Sequence, residues 1–457
     1  MAPKFGTSGL RGLVRELTDP LCAGYVRAFL QAVPHHGRLM IGRDLRPSSA
    51  RIAATVADTA ASLGLTVFDC GEVPTPALAL AAMAAGAPSV MVTGSHIPAD
   101  RNGLKFYTAT GEITKADEAA ILAGFHETPP GATARPEDAS TARAAYAARY
   151  TGAYGTALSG LSVGVYQHSS VARDLLVEVL EALGATVTPL GRSDQFIPVD
   201  TEAVGAGTRK MLADWAEGGG YDAIVSTDGD ADRPLVADAT GRVIPGDVIG
   251  TLSALALGAG TVVTPVSSNT MIEATGAFAA TLRTRIGSPF VIAAMEAQPD
   301  DAKTVGFEAN GGFLLGFAAQ GPAGPLPPLM TRDAFLPIIA TLAGIARQGK
   351  TLADLVAALP ARHTASDRLE NIPTDWSRAF VARLSDDATS RAAVFGASET
   401  AIDRTDGLRI SFADGTILHL RPSGNAPELR CYAEAVDSPT ATALVAETLD
   451  RIADLRT

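Results

Sequence analysis

Residues 228–233 read Asp-Gly-Asp-Ala-Asp-Arg. Three carboxylates alternate along an extended loop, so Asp228, Asp230 and Asp232 point toward one place. Their repulsion costs free energy unless a cation sits among them. Ligands that are all oxygen select a hard ion, with Mg²⁺ favoured. A calcium-binding EF-hand loop would need glycine at its sixth position and glutamate at its twelfth, where this chain has Arg233 and Ala239. The plain alternative is a solvated acidic turn. Arg233, next to the acids, has the planar fork that neutralises an incoming phosphate.

Five further stretches carry candidate groups. In Thr-Gly-Ser-His-Ile-Pro (93–98), Ser95 precedes His96, and Lys105 follows ten residues after the serine. The hydroxyl fits a nucleophile, a phosphate carrier or a turn residue. His96 is the obvious base, but neighbours on an extended chain point opposite ways, which favours an orienting role. In Arg-Pro-Ser-Gly-Asn-Ala-Pro-Glu-Leu-Arg (421–430), Arg421 and Arg430 supply forked donors and Ser423 a hydroxyl. Gly424 and Asn425 add backbone N–H groups in a nest-like turn, so the stretch reads as an anion cradle or an ordinary hairpin. In Gly-Phe-Glu-Ala-Asn-Gly-Gly-Phe (306–313), Glu308 and Asn310 share one side of the loop. That pair suits vicinal sugar hydroxyls, or is a buried polar pair in a glycine-rich turn. Arg11 lies in the glycine-flanked Phe-Gly-Thr-Ser-Gly-Leu-Arg-Gly (5–12), and Arg43, Asp44 and Arg46 follow a strand at 41–48. Arg43 and Asp44 are expected to form a structural salt bridge.

These groups need elements to place them. Apolar strands are predicted at 38–44 and 63–71 around an alanine-rich helix, and at 161–166 and 184–191 around a helix at 171–183. A third such unit is predicted at 261–266 and 283–287. Repeated strand–helix–strand units imply doubly wound α/β domains. Each is followed by another apolar run, 89–93, 222–227 or 304–307, that stops at one of the candidate loops. All three loops should then lie at carboxyl ends of strands, where open α/β sheets bind ligands. Candidate linkers are 128–136, between the first two units, and 320–329, a loop inside the third. Residues 360–367 open a tail whose runs 408–412 and 416–420 form a hairpin around Asp414–Gly415.

The chain has 457 residues, enough for three or four domains. Its net charge of −12, with scattered basic residues, argues against a nucleic-acid groove or an anionic membrane surface. Cys22, Cys70 and Cys431 form no paired motif, which fits a reducing compartment. The apolar run 77–87 is too short to span a bilayer, and a cytoplasmic location is expected.

Taken together, the loops at 5–12, 93–98, 228–233, 306–311 and 421–427 resemble the α-D-phosphohexomutase family in order and spacing. The resemblance covers nearly the whole chain. It implies three related α/β/α domains with mixed sheets and a smaller C-terminal α+β, TATA-binding-protein-like domain, set around a central cleft. The corresponding limits are 1–148, 149–247, 248–362 and 363–457. It implies that Ser95 carries a phosphoryl group, that Mg²⁺ is held by Asp228, Asp230, Asp232 and the phosphoserine, and that Lys105 is an acid/base. His96 would orient, while Arg11 and Arg233 would neutralise charge. Arg421, Ser423, Gly424, Asn425 and Arg430 would bind the idle phosphate; Glu308, Asn310 and Arg285 would bind the sugar. The implied partners are sugar phosphates, through a hexose 1,6-bisphosphate, with the protein a monomer or homodimer.

The favoured activity is phosphomannomutase, with phosphoglucomutase activity beside it. Phosphoglucosamine mutase, a metal-dependent sugar phosphatase and a non-catalytic sugar-phosphate sensor are the alternatives. Many relatives carry histidine where this chain has Gly312, serine where it has Asn310, and lysine where it has Arg285.

Overall fold

The computed structural model describes residues 3–6, 9–396, 399–423 and 427–455. Gly424 and Asn425 of the expected phosphate turn lie outside the described residues.

Three mixed sheets repeat one plan. In the first, Arg38–Arg43 runs between parallel partners Thr66–Glu72 and Ser89–Val92, and Arg101–Thr108 returns antiparallel beside Ser89–Val92. In the second, Ser162–His168 lies between Thr186–Arg192 and Ala223–Thr227, and Pro234–Asp238 returns. In the third, Thr261–Pro265 lies between Ala280–Thr284 and Thr304–Phe307, and Phe313–Leu315 returns. Strands Ser89–Val92, Ala223–Thr227 and Thr304–Phe307 are buried at every residue. Their sequences put small or apolar side chains on both faces, as a strand covered by helices on two sides requires. Each ends at the same place in its sheet, just before the chain turns back. The serine loop, the aspartate loop and the loop of Glu308 and Asn310 therefore occupy one equivalent position three times.

The helices follow the same logic. Ser49–Ser62 buries Ile52, Ala53, Val56, Ala57 and Ala60, and Arg173–Ala182 buries Leu175, Leu176, Val179 and Leu180, each a stripe at helical spacing. One cluster of buried side chains runs from Ala77 and Leu78 through Tyr146 and Val163 to Phe307 and Phe335. The three units thus share packing rather than merely touching. Among the described residues no helix is long and apolar enough to cross a membrane.

The last sheet is antiparallel throughout, with strands His363–Glu370, Glu428–Ala435, Ile417–Pro422, Leu408–Phe412 and Glu399–Asp403 in that order. Leu418, Leu420, Leu429 and Cys431 pack one face against Phe380, Leu384, Leu449 and Ile452 of two helices. The expected hairpin forms, with Ser411 opposite Ile417.

Several sequence expectations need correction. The third unit's second strand is Ala280–Thr284, not 283–287, because Arg285 leaves the sheet and the Ile286 N–H bonds to Asp406 instead. Residues 128–136 do not end the first unit: Glu137–Asp138 rejoins its sheet parallel to Phe68–Asp69. Residues 320–329 include a small ribbon, Ala319–Gln320 against Pro325–Leu326, and 360–367 enter an eight-residue strand of the last sheet. Arg43 does not pair with Asp44. It reaches Asp69 at 3.2 Å, while Asp44 pairs with Arg46 at 3.2 Å, because adjacent strand residues face opposite sides.

Candidate active site

The serine loop is held in a conformation that serine rarely adopts. Ser95 has φ of 54°, in the left-handed region, a cost of about 1–3 kcal/mol that surrounding contacts must offset. The Arg46 guanidinium supplies them, donating to the carbonyls of Ser95, Ile97, Pro98 and Arg101 at 2.6–2.9 Å. Asp44 neutralises Arg46 and accepts from the Thr93 hydroxyl at 2.7 Å; Thr93 in turn accepts from the Ser95 N–H at 2.8 Å. Gly94 is glycine because a Cβ there would stand 2.5 Å from the Arg46 Cζ. Phe196, from the second unit, lies against the same guanidinium at 3.9 Å.

The serine then meets the aspartates. Its hydroxyl donates to Asp228 Oδ2 at 2.5 Å. One carboxylate oxygen from each of Asp228, Asp230 and Asp232 lies within 4.8 Å of the others, and all three residues are fully buried. Lys105 Nζ donates to Asp230 Oδ2 and Asp232 Oδ2, both at 2.6 Å. Thr75, at the start of helix Thr75–Ala85, donates its hydroxyl to Asp230 Oδ2 at 2.5 Å. Burial and the neighbouring Asp230 and Asp232 push the Asp228 pKa well up. Asp232 goes the other way: burial opposes its charge, but Arg332 and Lys105 outweigh it and hold its pKa down.

The donor set fits a hard divalent cation. Asp230 Oδ1 and Asp232 Oδ1 are buried and have no hydrogen-bond partner, an arrangement that costs several kcal/mol for charged oxygens left so. The residues that would hold Mg²⁺ are Asp228, Asp230 and Asp232.

The surrounding charges are cationic. Arg233 Nη1 lies 3.0 Å from His96 Nδ1, which is also 3.3 Å from the Ser95 hydroxyl. Burial, then the charges of Arg233 and Arg11, drive the His96 pKa far below its usual value. The imidazole is neutral and a poor base, lying between the serine hydroxyl and the arginine. Arg11 is pushed down to about 10 by burial and by Arg233 and Arg332, and stays charged at neutral pH. Glu308 and Asn310 are buried side by side, with Asn310 Nδ2 3.4 Å from Glu308 Oε2.

The last domain contributes a row of like charges. Arg421 stands directly opposite Arg430, and Arg430 opposite Arg368, on one face of three neighbouring strands. Like charges in facing positions repel. Asp406 pairs with Arg421 at 2.9 Å, Glu370 with Arg368 at 3.0 Å, and Glu428 lies 3.6 Å from Arg368 and Arg430, so each arginine has a carboxylate within reach. Ser423, buried at the end of the row, donates its N–H to the Glu428 carbonyl at 2.9 Å. Arg285 stands apart from these groups: it is exposed, with Nε 3.3 Å from the Thr405 carbonyl of the last domain.

Sequence reading assigns no role to Arg46, Thr75, Arg332 or Arg368. Arg46 sits within a stretch of interest, and its burial beside Gly94 is the only local signal. The others meet Asp230, Asp232 and Arg430 respectively, each at least 60 residues away in sequence.

Comparison with known proteins agrees with this layout. Four family descriptions match in order: phosphoglucomutase/phosphomannomutase alpha/beta/alpha domain I at residues 2–130, domain II at 144–241, domain III at 245–363, and the C-terminal domain at 352–451. A phosphomannomutase of Sinorhizobium fredii is 48% identical over 98% of both chains. A phosphomannomutase of Salmonella muenchen is 43% identical, covering 98% of this chain and 95% of that one. A crystal structure from Thermus thermophilus superposes with a TM-score of 0.78 at 25% identity, covering 100% of this chain and 99% of that one.

Proposed function

The chain belongs to the α-D-phosphohexomutase family, and from that premise we propose that it is a phosphomannomutase that works through a phosphate carried on Ser95. Its reaction is of the phosphohexomutase type; the choice of mannose and the serine relay are our reading. The observation that carries it is the Ser95 hydroxyl at 2.5 Å from Asp228, within a cluster whose other acids are bound by Lys105.

Phosphoryl transfer is mostly positioning and charge neutralisation. In the forward half, a hydroxyl of the bound sugar phosphate attacks the phosphorus on Ser95. The new oxygen–phosphorus bond forms as the Ser95 bond breaks, and the sugar becomes a 1,6-bisphosphate. In the return half, the bisphosphate turns over in the cleft and gives its other phosphate back to the serine. Lys105, once its ammonium has given up a proton, would take the proton of the attacking hydroxyl and deliver it to the departing Ser95 oxygen. His96 holds the serine and Arg233 in register. Arg11 and Arg233 offset the phosphoryl charge. Mg²⁺ held by the three aspartates would supply further neutralisation at the transferring group.

Glu308 and Asn310 would accept and donate to sugar hydroxyls. Arg421, Ser423 and Arg430 would hold the idle phosphate, joined by Arg368 from the same row; Gly424 and Asn425 belong to this proposal by sequence. Arg285 would serve as a basic contact at the edge of the last domain. A phosphatase has no need of a second phosphate cradle, and a sensor has no need of Ser95 with all three aspartates intact.

The deciding experiment compares kcat/KM on the 1-phosphates of mannose, glucose and glucosamine, with Mg²⁺ and a trace of hexose 1,6-bisphosphate. Mannose 1-phosphate should be the best substrate. Preference for glucosamine 1-phosphate would make the protein a phosphoglucosamine mutase, and release of inorganic phosphate alone would make it a phosphatase.

A further inference from the structure

Arg332 is a buried arginine at the end of strand Leu329–Asp333, 2% exposed, in a stretch that no motif marks. Its guanidinium reaches three carboxylates from three separate parts of the chain. Nη2 is 3.1 Å from Asp232 Oδ2, Nε is 3.2 Å from Glu112 Oε1, and Nη1 is 3.9 Å from Glu308 Oε2. Asp232 belongs to the aspartate loop of the second unit. Glu308 belongs to the equivalent loop of the third. Glu112 comes from the first.

The anchorage of this arginine is built at both ends. Glu112 is itself buried and takes a 2.6 Å hydrogen bond from the Ser288 hydroxyl on its other oxygen. The backbone beside Arg332 is clamped by Asp333, whose carboxylate accepts from the Tyr146 hydroxyl at 2.5 Å, from the Tyr150 hydroxyl, and from the Phe335 N–H at 2.8 Å. The side chain passes close to Gly312. A Cβ there would lie 3.1 Å from both Cγ and Cδ of Arg332 and 3.1 Å from the Asp232 carbonyl oxygen. A side chain at this position would require the arginine or the aspartate loop to give by a few tenths of an ångström.

We propose that Arg332 is a positioning residue for this centre, its guanidinium fork fixing the Asp232 carboxylate and the Glu308 carboxylate relative to each other, with Glu112 as the anchor. The fork geometry is the reason for an arginine here. A lysine ammonium is a point charge on a flexible stem and cannot hold three carboxylates at set angles. With Asp232 Oδ2 occupied by Arg332 and Lys105, its Oδ1, which has no hydrogen-bond partner and lies 3.8 Å from Arg233 Nε, is the oxygen left for the metal. With Glu308 drawn toward the same guanidinium, the group that receives the sugar keeps a fixed distance from the group that receives the metal.

The inference rests on the reading of Asp232 as a metal ligand and Glu308 as a sugar ligand, and its test separates the two levels. Arg332→Lys keeps the charge and loses the fork. Mg²⁺ binding is measured by titration calorimetry in the absence of substrate, and kcat and KM for mannose 1-phosphate are measured beside wild type. Outer groups that orient metal ligands alter metal affinity or activity by about 10–100-fold. The lysine variant should therefore bind Mg²⁺ about 10-fold more weakly and lose kcat by a similar factor, with a circular dichroism spectrum like wild type. Glu112→Gln, which loosens only the anchor, should move both readouts in the same direction by a smaller factor. It serves as the test if Arg332→Lys does not fold.

Wild-type Mg²⁺ affinity and wild-type kcat in the folded lysine variant would overturn the proposal. Weaker Mg²⁺ binding in a protein whose wild type turns over no sugar phosphate would support the positioning role and refute the mutase reading instead.

Discussion

Lys105 and Asp230 lie 125 residues apart in sequence and 2.6 Å apart in the structure, both buried. Each offsets part of the cost of burying the other's charge, since an unpaired buried charge costs several kcal/mol. The pairing puts the candidate proton carrier and a candidate metal ligand in contact, and the functional account turns on that contact.

Lys105→Ala should lower kcat by about 10²–10⁴-fold, the range of general acid–base contributions. KM should change far less, because Lys105 contacts the aspartates rather than the arginine row. Steady-state kinetics with mannose 1-phosphate would settle it. Loss confined to KM would place Lys105 in binding.

Metal binding should be visible without catalysis. At about a 100-fold excess over its Kd, Mg²⁺ should stabilise the wild type by about 2.7 kcal/mol. Differential scanning fluorimetry should record the rise in Tm, and chelation should reverse it. Asp230→Asn should abolish the Mg²⁺-dependent rise. An unchanged rise in that variant would mean the ion binds elsewhere.

Arg46→Met should destabilise the first domain by about 3–5 kcal/mol, the cost of leaving a buried partner charge such as Asp44 unpaired. Four loop carbonyls lose their donor as well. Urea unfolding of the variant against wild type would measure this, and a change under about 1 kcal/mol would contradict the assigned role.

A pH effect on stability should come from His168. Its Nε2 lies 2.8 Å from the Thr227 carbonyl, and burial lowers its pKa to about 4. The unfolded chain, with histidine near about 6.5, binds the proton more readily than the folded one. Stability from this group is therefore present above about 6.5 and is lost as pH falls toward about 4. Urea midpoints at about pH 5 and about pH 7 should differ less in His168→Asn than in wild type. An equal difference would assign the effect to another group.

The chemistry-bearing loops are legible in the sequence because each follows a strand apolar on both faces, as Ala223–Thr227 precedes Asp228. The repeat of that pattern puts three loops at equivalent strand ends, and the structure has them there. What a sequence does not show is pairing at long range. Arg332 ends a strand like many others, and only the folded chain brings it to Glu112, 220 residues earlier. Arg368 lies just past a stretch that reads as a linker and gains meaning from its register opposite Arg430. Asp44 reads as the partner of its neighbour Arg43, although strand alternation turns it to Arg46. Local patterns mark the groups that react, while the groups that hold them are defined by contacts between units.

The most direct test of the account is the state of Ser95 after exposure to hexose 1,6-bisphosphate and Mg²⁺. Peptide mass spectrometry of the wild type should find one phosphoryl group on Ser95. Ser95→Ala should lack it and lose at least about 10³-fold in mutase activity. A serine that stays unmodified while mannose phosphates interconvert, or an alanine variant with wild-type turnover, would contradict the phosphoserine mechanism.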